Sequence, residues 1–272
     1  MNQTTCCAFT MCRNEELHLH VWLSYYAAEL GEEACYVLIE PNDKTVDVEK
    51  LAFPNVNFIV QPSPKPGSQT TGFYDNDLEV WRLAVVKQWQ AKLLRTYACC
   101  IFGDTDEILM PESSLLDFCN DVFIPSDADR IRSECWQPVQ QRGEKAVSRL
   151  SGTFVLNDRT KMWRLPTYDK TSLVRTPQKY SKGFHLTYMG DKKRVDDVVD
   201  PRLPLLHMWR NDMDDWMQDA VWRYEGVTKE SAELYFETHK GPWVDPRPNW
   251  NPHAVGDATE IPSTWKKRLI WK

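Results

Sequence analysis

Two aspartates one residue apart, Asp104 and Asp106, directly follow the apolar run 98–103. Short continuous apolar runs are typical of buried strands, and in open α/β sheets ligands bind just beyond the carboxyl ends of the strands. Two carboxylates placed there can share one hard divalent cation, Mg²⁺ or Mn²⁺, which takes oxygen ligands and often keeps substrate phosphate oxygens among them. The pair therefore predicts a metal site that acts on a phosphate-bearing substrate. The alternative is an Asp-x-Asp pair in a solvated turn.

Polar residues also follow two other predicted strands. Arg13, Asn14 and Glu15 come directly after the apolar run 6–12, at the start of a predicted helix. An arginine in this crevice can bind a diphosphate or a base, whereas a glutamate there also suits the helix dipole. Glu40 ends the next apolar run, where an acidic side chain can accept hydrogen bonds from a ribose or a base.

Two histidines follow later strand-like runs. His185 comes after Lys-Gly-Phe, and His207 comes after the run 203–206. A neutral imidazole can complete a Mn²⁺ site, so either residue is a candidate for the third ligand. A histidine that only packs in the core is the alternative for each.

The elements that must position these residues alternate along the first hundred residues. The apolar runs predict strands at 6–12, 35–40, 56–60 and 98–103, with helices at 15–30 and 78–97. Such alternation indicates a parallel sheet with right-handed crossovers, the usual nucleotide-binding arrangement.

The pattern changes after Pro111. Shorter strand-like runs there predict a mixed sheet beside the parallel one, and a further helix is expected at 213–224. The predicted strands are 130–136, 152–157, 171–175, 183–188 and 203–207. The remaining tail is rich in tryptophan and proline.

Composition restricts the classes of function. The 272 residues carry a net charge of −6 without a long basic run, so strong non-specific nucleic-acid binding is not expected. No run of about 18 apolar residues exists, and the first residues lack the basic and apolar regions of a signal peptide, so we expect a cytoplasmic protein without a membrane span. The eight cysteines contain no C-x-x-C pair, which argues against a zinc site or redox dithiol and favours packing.

Taken in order, these motifs resemble the family 2-type glycosyltransferases. Residues 101–111, which read IFGDTDEILMP, are similar to the family segment D-x-D-E-F-L-x-P. Residues 10–16 and the following 22–26 resemble its opening K/R-N-E … W-L-x-Y-H. Looser similarity covers 39–47, 132–136, 170–175 and 207–212, so the resemblance extends over roughly residues 5 to 226.

The resemblance implies a GT-A-type, Rossmann-like α/β fold, in which a parallel nucleotide-binding sheet merges with a smaller mixed acceptor-side sheet. Residues 1–226 would form this domain, with a nucleotide-sugar half (1–110) and an acceptor half (111–226). Residues 227–272 would be a Trp/Pro-rich C-terminal extension. The implied activity is a hexosyl transfer that depends on Mn²⁺ or Mg²⁺, from a UDP- or GDP-linked sugar to an acceptor hydroxyl on a glycan, with inversion.

The resemblance also implies a role for each site residue. The metal ligands would be Asp104, Asp106, His185 and His207. The donor contacts would be Arg13, Asn14, Glu15, Glu40, Asp104, Thr105 and Lys170. Trp136 would bind the acceptor. The base candidates are Asp191 and Asp212, with Asp214 and Asp215 as alternatives that also suit a helix cap.

Other functions stay open at this point. A non-catalytic protein that binds a nucleotide sugar would keep the same fold. A glycosyltransferase acting on a modified nucleic-acid base would need a local basic patch, such as residues 192–194. A nucleotide-sugar pyrophosphorylase is disfavoured, because residues 13–16 contain no glycine for a phosphate loop.

Overall fold

The strands and helices of the first half follow the predicted alternation closely. The computed structural model describes residues 5–40, 43, 46–62, 76–139, 144–145, 147, 151–189, 193–194, 199–208 and 255–271. The first elements are β1 (Cys6–Cys12), α1 (Glu16–Leu30), β2 (Cys35–Ile39), β3 (Asn57–Val60), α2 (Asn76–Leu93) and β4 (Cys99–Phe102).

These four strands form a parallel sheet in the order β3-β2-β1-β4. β1 and β2 are buried almost throughout, as their continuous apolar runs predicted. Because the strands are parallel, the last residues of β1, β2 and β4, which are Cys12, Ile39 and Phe102, all lie at one edge of the sheet. The polar residues that follow those ends are thereby brought to the same edge.

The second half contributes shorter elements. In chain order they are β5 (Glu107–Leu109), α3 (Leu115–Asp117), β6 (Arg130–Val139), β7 (Lys161–Arg164), β8 (Lys170–Val174), β9 (Lys179–Tyr180), β10 (Thr187–Met189), β11 (Lys193–Arg194), β12 (Val199–His207), β13 (Val255–Glu260) and α4 (Ser263–Arg268). A wide helical turn, Phe118–Phe123, continues α3.

The two halves share one ten-stranded mixed sheet. β4 pairs with β8 in the antiparallel sense, and the order continues β8-β6-β7-β13. β12 runs beside β6 and also pairs with β5. β9, β10 and β11 form a separate three-stranded sheet. The molecule is therefore a mixed α/β protein in which a parallel block of strands lies beside antiparallel ones, compatible with a Rossmann-like arrangement.

Two of the predicted strands are wrong in whole or in part. Residues 152–157 form turns, because Gly152 adopts a positive φ of 79° and Asn157 N–H bonds back to the Phe154 carbonyl. Residues 183–188 begin as a 3₁₀ turn at Gly183, with φ 68°, and become a strand only at Thr187. The helix predicted at 78–97 ends at Leu93. The helix predicted at 213–224 lies outside the described residues.

Helix α1 fixes the loop that carries the two aspartates. Its buried face includes Trp22, Tyr25 and Tyr26. The Tyr25 hydroxyl donates to the Leu109 carbonyl at 2.6 Å, and the Tyr26 hydroxyl accepts from Leu109 N–H at 3.1 Å. The short strand β5 is thus held at both backbone groups of one residue, which limits the movement of the loop before it.

The last described elements, β13 and α4, pack onto the same sheet and onto α1. β13 pairs with β7, and Trp265 of α4 is buried. Arg268 donates to Glu29 at 2.8 Å and to Tyr25 at 2.7 Å, so α4 is joined to α1. None of the helices in the described part of the chain combines the length and apolarity needed to cross a bilayer.

Candidate functional site

The candidate site lies at the edge where β1, β2 and β4 end. Glu40 N–H donates to the Cys12 carbonyl at 2.9 Å, which keeps the ends of β1 and β2 level. Asp104 follows β4 after Gly103, at which an added Cβ would lie 3.2 Å from a Glu107 oxygen. Glycine therefore allows the loop to fold back closely on Glu107.

A buried lysine joins two carboxylates at this edge. Lys170 of β8 is fully buried, and its Nζ lies 2.7 Å from both Asp104 Oδ2 and Glu107 Oε2. The Glu107 side chain is 1% exposed, whereas that of Asp104 is 41% exposed. Asp104 N–H also donates to Glu107 at 2.9 Å. Lys170 thus compensates the buried Glu107 and orients Asp104 while leaving part of it open to solvent.

Lys170, Asp104 and Glu107 form a triad in which the lysine ammonium attracts both carboxylates. Burial opposes ionisation of Asp104, but the Lys170 ammonium outweighs it and lowers the pKa of the carboxyl. Burial raises the pKa of Glu107 against the attraction of the same ammonium. Burial also opposes the charge on Lys170, yet the two carboxylates raise its pKa. Asp104 is therefore an accessible anion at neutral pH.

Asp106 and His207 form a second close pair. Strand β12 runs beside β5 and places His207 opposite Glu107, and the Met208 N–H donates to the Asp106 carbonyl at 2.6 Å. His207 Nε2 lies 3.6 Å from Asp106 Oδ2. Burial lowers the pKa of His207 from 6.5 to about 3, so its imidazole is neutral at physiological pH and is chemically able to bind a metal.

Tyr168 contacts both histidines that the sequence singled out. Its ring stacks on His207 with centroids 5.2 Å apart and meets His185 edge-on at 5.2 Å. Burial and the nearby Lys170 charge lower the pKa of His185 to about 4. His185 Nδ1 is buried and lacks a hydrogen-bond partner among the described residues. Tyr168 thus organises this side of the edge, a role that no sequence motif indicated.

The predicted metal ligands fit a hard divalent ion by chemistry but are not gathered into a compact set. Asp104 and Asp106 offer carboxylate oxygens and His207 a neutral nitrogen, which suit Mn²⁺ or Mg²⁺. In the described part of the chain, the one group of three or more His, Cys, Asp or Glu ligand atoms within 4.8 Å of one another consists of cysteines elsewhere. Binding would therefore bring these side chains closer together than they lie in this structure.

An arginine that the sequence did not single out reaches the same edge from α2. Arg82 Nη2 lies 2.6 Å from Glu40 Oε1, and Nη1 lies 3.1 Å from Glu79. Glu40 is 2% exposed, and burial raises its pKa although the Arg82 and Arg13 charges act against that shift. Asp104 also interacts electrostatically with Arg82. No sequence signal pointed to Arg82, because a single arginine on a helix belongs to no motif.

The predicted donor residues near β1 take part in loop contacts. Thr105 is fully buried, and its hydroxyl donates to the Glu15 carboxylate, so the end of β1 is tied to the aspartate loop. Asn14 has a positive φ of 56° and donates its backbone N–H to Asp43 at 2.9 Å. The contact between Thr105 and Glu15 therefore has a structural role at this edge.

Trp136, the predicted acceptor contact, lies within the described part of the chain. Trp136 is half-buried on β6, where it pairs with Leu206 of β12 and Arg164 of β7. Alternation along the strand places it on the same face as Glu134 and Arg132. The base candidates Asp191 and Asp212 lie outside the described residues.

No protein-family model matches the sequence, and none of the curated proteins matches it. One matching solved structure is the crystal structure of mannose-1-phosphate geranyltransferase from Thermus thermophilus, at 8% identity and a TM-score of 0.30. That alignment covers 85% of this chain and 68% of that chain. A TM-score this low carries no conclusion about fold or activity.

Proposed function

We propose that this chain is a metal-dependent glycosyltransferase that moves a hexosyl group from a UDP- or GDP-linked sugar to an acceptor hydroxyl on a glycan. One observation carries the proposal. The anionic, accessible Asp104 and the Asp106–His207 pair share the edge at which parallel strands end, the edge that binds ligands in open α/β sheets.

In this proposal Asp104, Asp106 and His207 hold Mn²⁺ or Mg²⁺, with His185 as the alternative nitrogen ligand. The ion would neutralise the charge that develops on the diphosphate leaving group. Lys170 keeps Asp104 ionised and fixes its carboxylate at 2.7 Å. Asn14 and Thr105 would position the donor beside this group.

Basic residues would bind the rest of the donor. Arg82 and Arg13 bring positive charge to the Glu40 side of the edge, where arginine can pair with phosphate oxygens through two parallel hydrogen bonds. Glu40 remains the candidate for a ribose or base contact, and its Oε2 is buried without a hydrogen-bond partner among the described residues. Glu15 would support this region through Thr105.

The acceptor would approach from the β6 side. Trp136 offers an aromatic surface on which a sugar face can pack. Deprotonation of the acceptor hydroxyl requires a base within hydrogen-bond reach, and Asp191 and Asp212 are the proposed candidates.

Hydrolysis of the donor by the purified protein tests the proposal. A panel of UDP-, GDP- and dTDP-sugars is incubated with Mn²⁺, with Mg²⁺ and with EDTA, and release of nucleoside diphosphate is measured. Release from one donor that EDTA abolishes supports the transferase. A nucleotide-dependent thermal shift without turnover would favour a non-catalytic binding protein. No shift and no turnover would overturn both.

A further inference from the structure

Three buried cysteines from separate elements meet at the other edge of the parallel strands. Cys6 is the first residue of β1, Cys99 is the first residue of β4, and Cys119 lies in the turn Phe118–Phe123. All three are fully buried, and their sulfur atoms lie within 4.8 Å of one another. β1 has seven residues, so this group is roughly 20 Å from the candidate site at about 3.3 Å per residue.

We propose that Cys6, Cys99 and Cys119 form a zinc-binding site of three thiolates. Thiolate sulfurs at about 2.3 Å from a tetrahedral Zn²⁺ lie roughly 3.8 Å apart, which agrees with the close approach of the three atoms. Sulfur ligands favour thiophilic ions such as Zn²⁺ over Mg²⁺ or Mn²⁺. The site is therefore chemically distinct from the oxygen-rich edge, and the proposal does not depend on the transferase activity.

An oxygen atom would complete the tetrahedron. The Thr5 carbonyl lies 4.0 Å from Cys99 Sγ, and the Thr5 hydroxyl is hydrogen-bonded to the Asn120 side chain beside Cys119. Thr5 and Asn120 are both half-buried, so the thiols lie just beneath the surface. The Thr5 carbonyl already accepts from the Ala98 N–H at 2.8 Å and from the Cys99 N–H at 3.3 Å, so a water molecule at this shallow position would serve as the fourth ligand.

Without a cation two of the three thiols keep their protons, because burial raises the pKa of Cys6 and the pKa of Cys119 is raised as well. Hydrogen bonds from Cys119 and Cys6 to the Cys99 sulfur lower the pKa of that thiol to about 5. The positive charge of Arg175 also lowers the pKa of Cys99. The Arg175 guanidinium donates a hydrogen bond to the Ile124 carbonyl at 2.9 Å. Binding would release the remaining thiol protons to solvent. Zn²⁺ with three thiolates carries one net negative charge, which Arg175 offsets.

The sequence argued against such a site, because its cysteines lack the short C-x-x-C spacing. The structure shows how three distant positions supply the ligands instead. Cys6 and Cys99 are direct neighbours across parallel strands, and the chain returns after β5 to place Cys119 against them. A bound ion would join β1, β4 and the turn Phe118–Phe123, and so would stabilise the parallel half against unfolding.

Cobalt substitution in the intact chain tests the proposal. Thiolate ligands give Co²⁺ a sulfur-to-metal charge-transfer absorption band that carboxylate and imidazole ligands do not produce. We expect one equivalent of Co²⁺ to develop this band, Zn²⁺ to displace it, and Zn²⁺ to raise the melting temperature. The wild-type protein purified without chelator should carry one equivalent of zinc by elemental analysis.

A matched pair of variants locates the ligands. Cys6→Ala/Cys99→Ala should lose the band, whereas Cys7→Ala/Cys100→Ala, which removes sulfurs from fully buried positions one residue further along the same strands, should keep it. If the first variant does not fold, Cys119→Ala alone should weaken Zn²⁺ binding by roughly 100-fold or more.

Three results would overturn the proposal. The first is a wild-type protein that gives no thiolate band. The second is a band that persists in a folded Cys6→Ala/Cys99→Ala or Cys119→Ala variant. The third is an intact mass two hydrogens lower in freshly purified protein, with a Cys6–Cys99 disulfide in the peptide map.

Discussion

Lys170 and Asp104 lie 66 positions apart in the chain, yet the lysine ammonium is 2.7 Å from the aspartate carboxylate. The antiparallel register of β4 and β8 explains this contact. Ile101 lies opposite Leu173 in antiparallel strands, so three residues forward from Ile101 and three residues back from Leu173 place Asp104 beside Lys170. The register of the sheet therefore places a buried cation beside the loop that is predicted to bind a metal. Rings of Phe102 and Phe184 lie 5.9 Å and 5.8 Å from that cation and add cation–π attraction.

Removal of this lysine charge should destabilise the fold strongly. Lys170→Met keeps much of the side-chain volume but leaves Glu107 buried without its counter-ion, so we expect a loss of about 3–5 kcal/mol in the free energy of unfolding. Urea unfolding followed by circular dichroism measures it. Lys161→Met is the control, because it breaks the exposed pair with Glu260 and should cost less than about 1 kcal/mol. Equal losses of stability in the two variants would contradict the role of Lys170 as the counter-ion of the buried Glu107.

A double-mutant cycle tests the buried Glu40–Arg82 pair. Arg82→Met leaves the nearly inaccessible Glu40 carboxylate uncompensated, so it should cost about 3–5 kcal/mol. The double variant Arg82→Met/Glu40→Gln removes that stranded charge and should be more stable than Arg82→Met alone. Urea unfolding of the wild type, Arg82→Met, Glu40→Gln and the double variant gives the coupling energy. Additive losses would show that the two side chains do not interact.

The parallel half of the fold was predictable because its strands are continuous apolar runs. The strand predicted at 6–12 is observed at Cys6–Cys12, and the one predicted at 35–40 ends one residue earlier. Gly31 marks the end of α1 as expected. Strands that are buried on both faces carry apolar residues at nearly every position, so the apolar run itself marks the strand. The misassigned run 152–157 was short and contained Gly152, whose backbone favours a turn.

The site was less predictable than the fold because its contacts join distant elements. Asp104 and Asp106 were identified from their position after a strand. The partners Glu107, Arg82 and Tyr168 depend on sheet register and helix packing, which local spacing does not encode. The metal-binding and donor-binding roles of the predicted residues remain predictions.

The contact between α4 and α1 should contribute measurably to stability. Arg268 donates to Glu29, to the Tyr25 hydroxyl and to the Pro111 carbonyl. Arg268→Gln loses the ion pair and most of these bonds, so the free energy of unfolding should fall by about 2–4 kcal/mol. The exposed neighbour Lys267 provides the control, since Lys267→Gln should change stability by less than about 0.5 kcal/mol. Matching urea midpoints for the two variants would argue against this role.

Stability in the absence of added metal should decline as the pH falls, in part because of His207. Its pKa is about 3 in the folded chain and 6.5 normally, so below pH 6.5 the unfolded chain binds a proton that the folded chain does not. The contribution is complete above pH 6.5 and is lost toward pH 3, at roughly 1.4 kcal/mol per pH unit. Urea unfolding in EDTA between about pH 7 and about pH 5 measures the slope.

The variant His207→Gln isolates this residue from His185, whose lowered pKa acts in the same direction. The variant should show a shallower dependence of stability on pH than the wild type. His20→Gln is the comparison, because burial also lowers the pKa of that half-buried side chain but by less than it lowers the pKa of His207, so this variant should keep more of the wild-type slope. A slope in His207→Gln identical to that of the wild type would mean that His207 does not titrate as its burial implies.

The proposed metal-binding role of Asp106 leads to a sharper functional test. Asp106→Asn keeps the size of a nearly buried side chain but removes its negative charge. If the carboxylate holds the metal, the variant loses several kcal/mol of charge stabilisation in the transition state, and metal-dependent donor turnover should fall by at least roughly 100-fold. Asp127→Asn, at an exposed loop position, should retain full activity. Circular dichroism and the thermal midpoint confirm that both variants fold. Wild-type turnover in a folded Asp106→Asn variant would remove Asp106 from the metal site, and would leave its pairing with His207 as a structural contact.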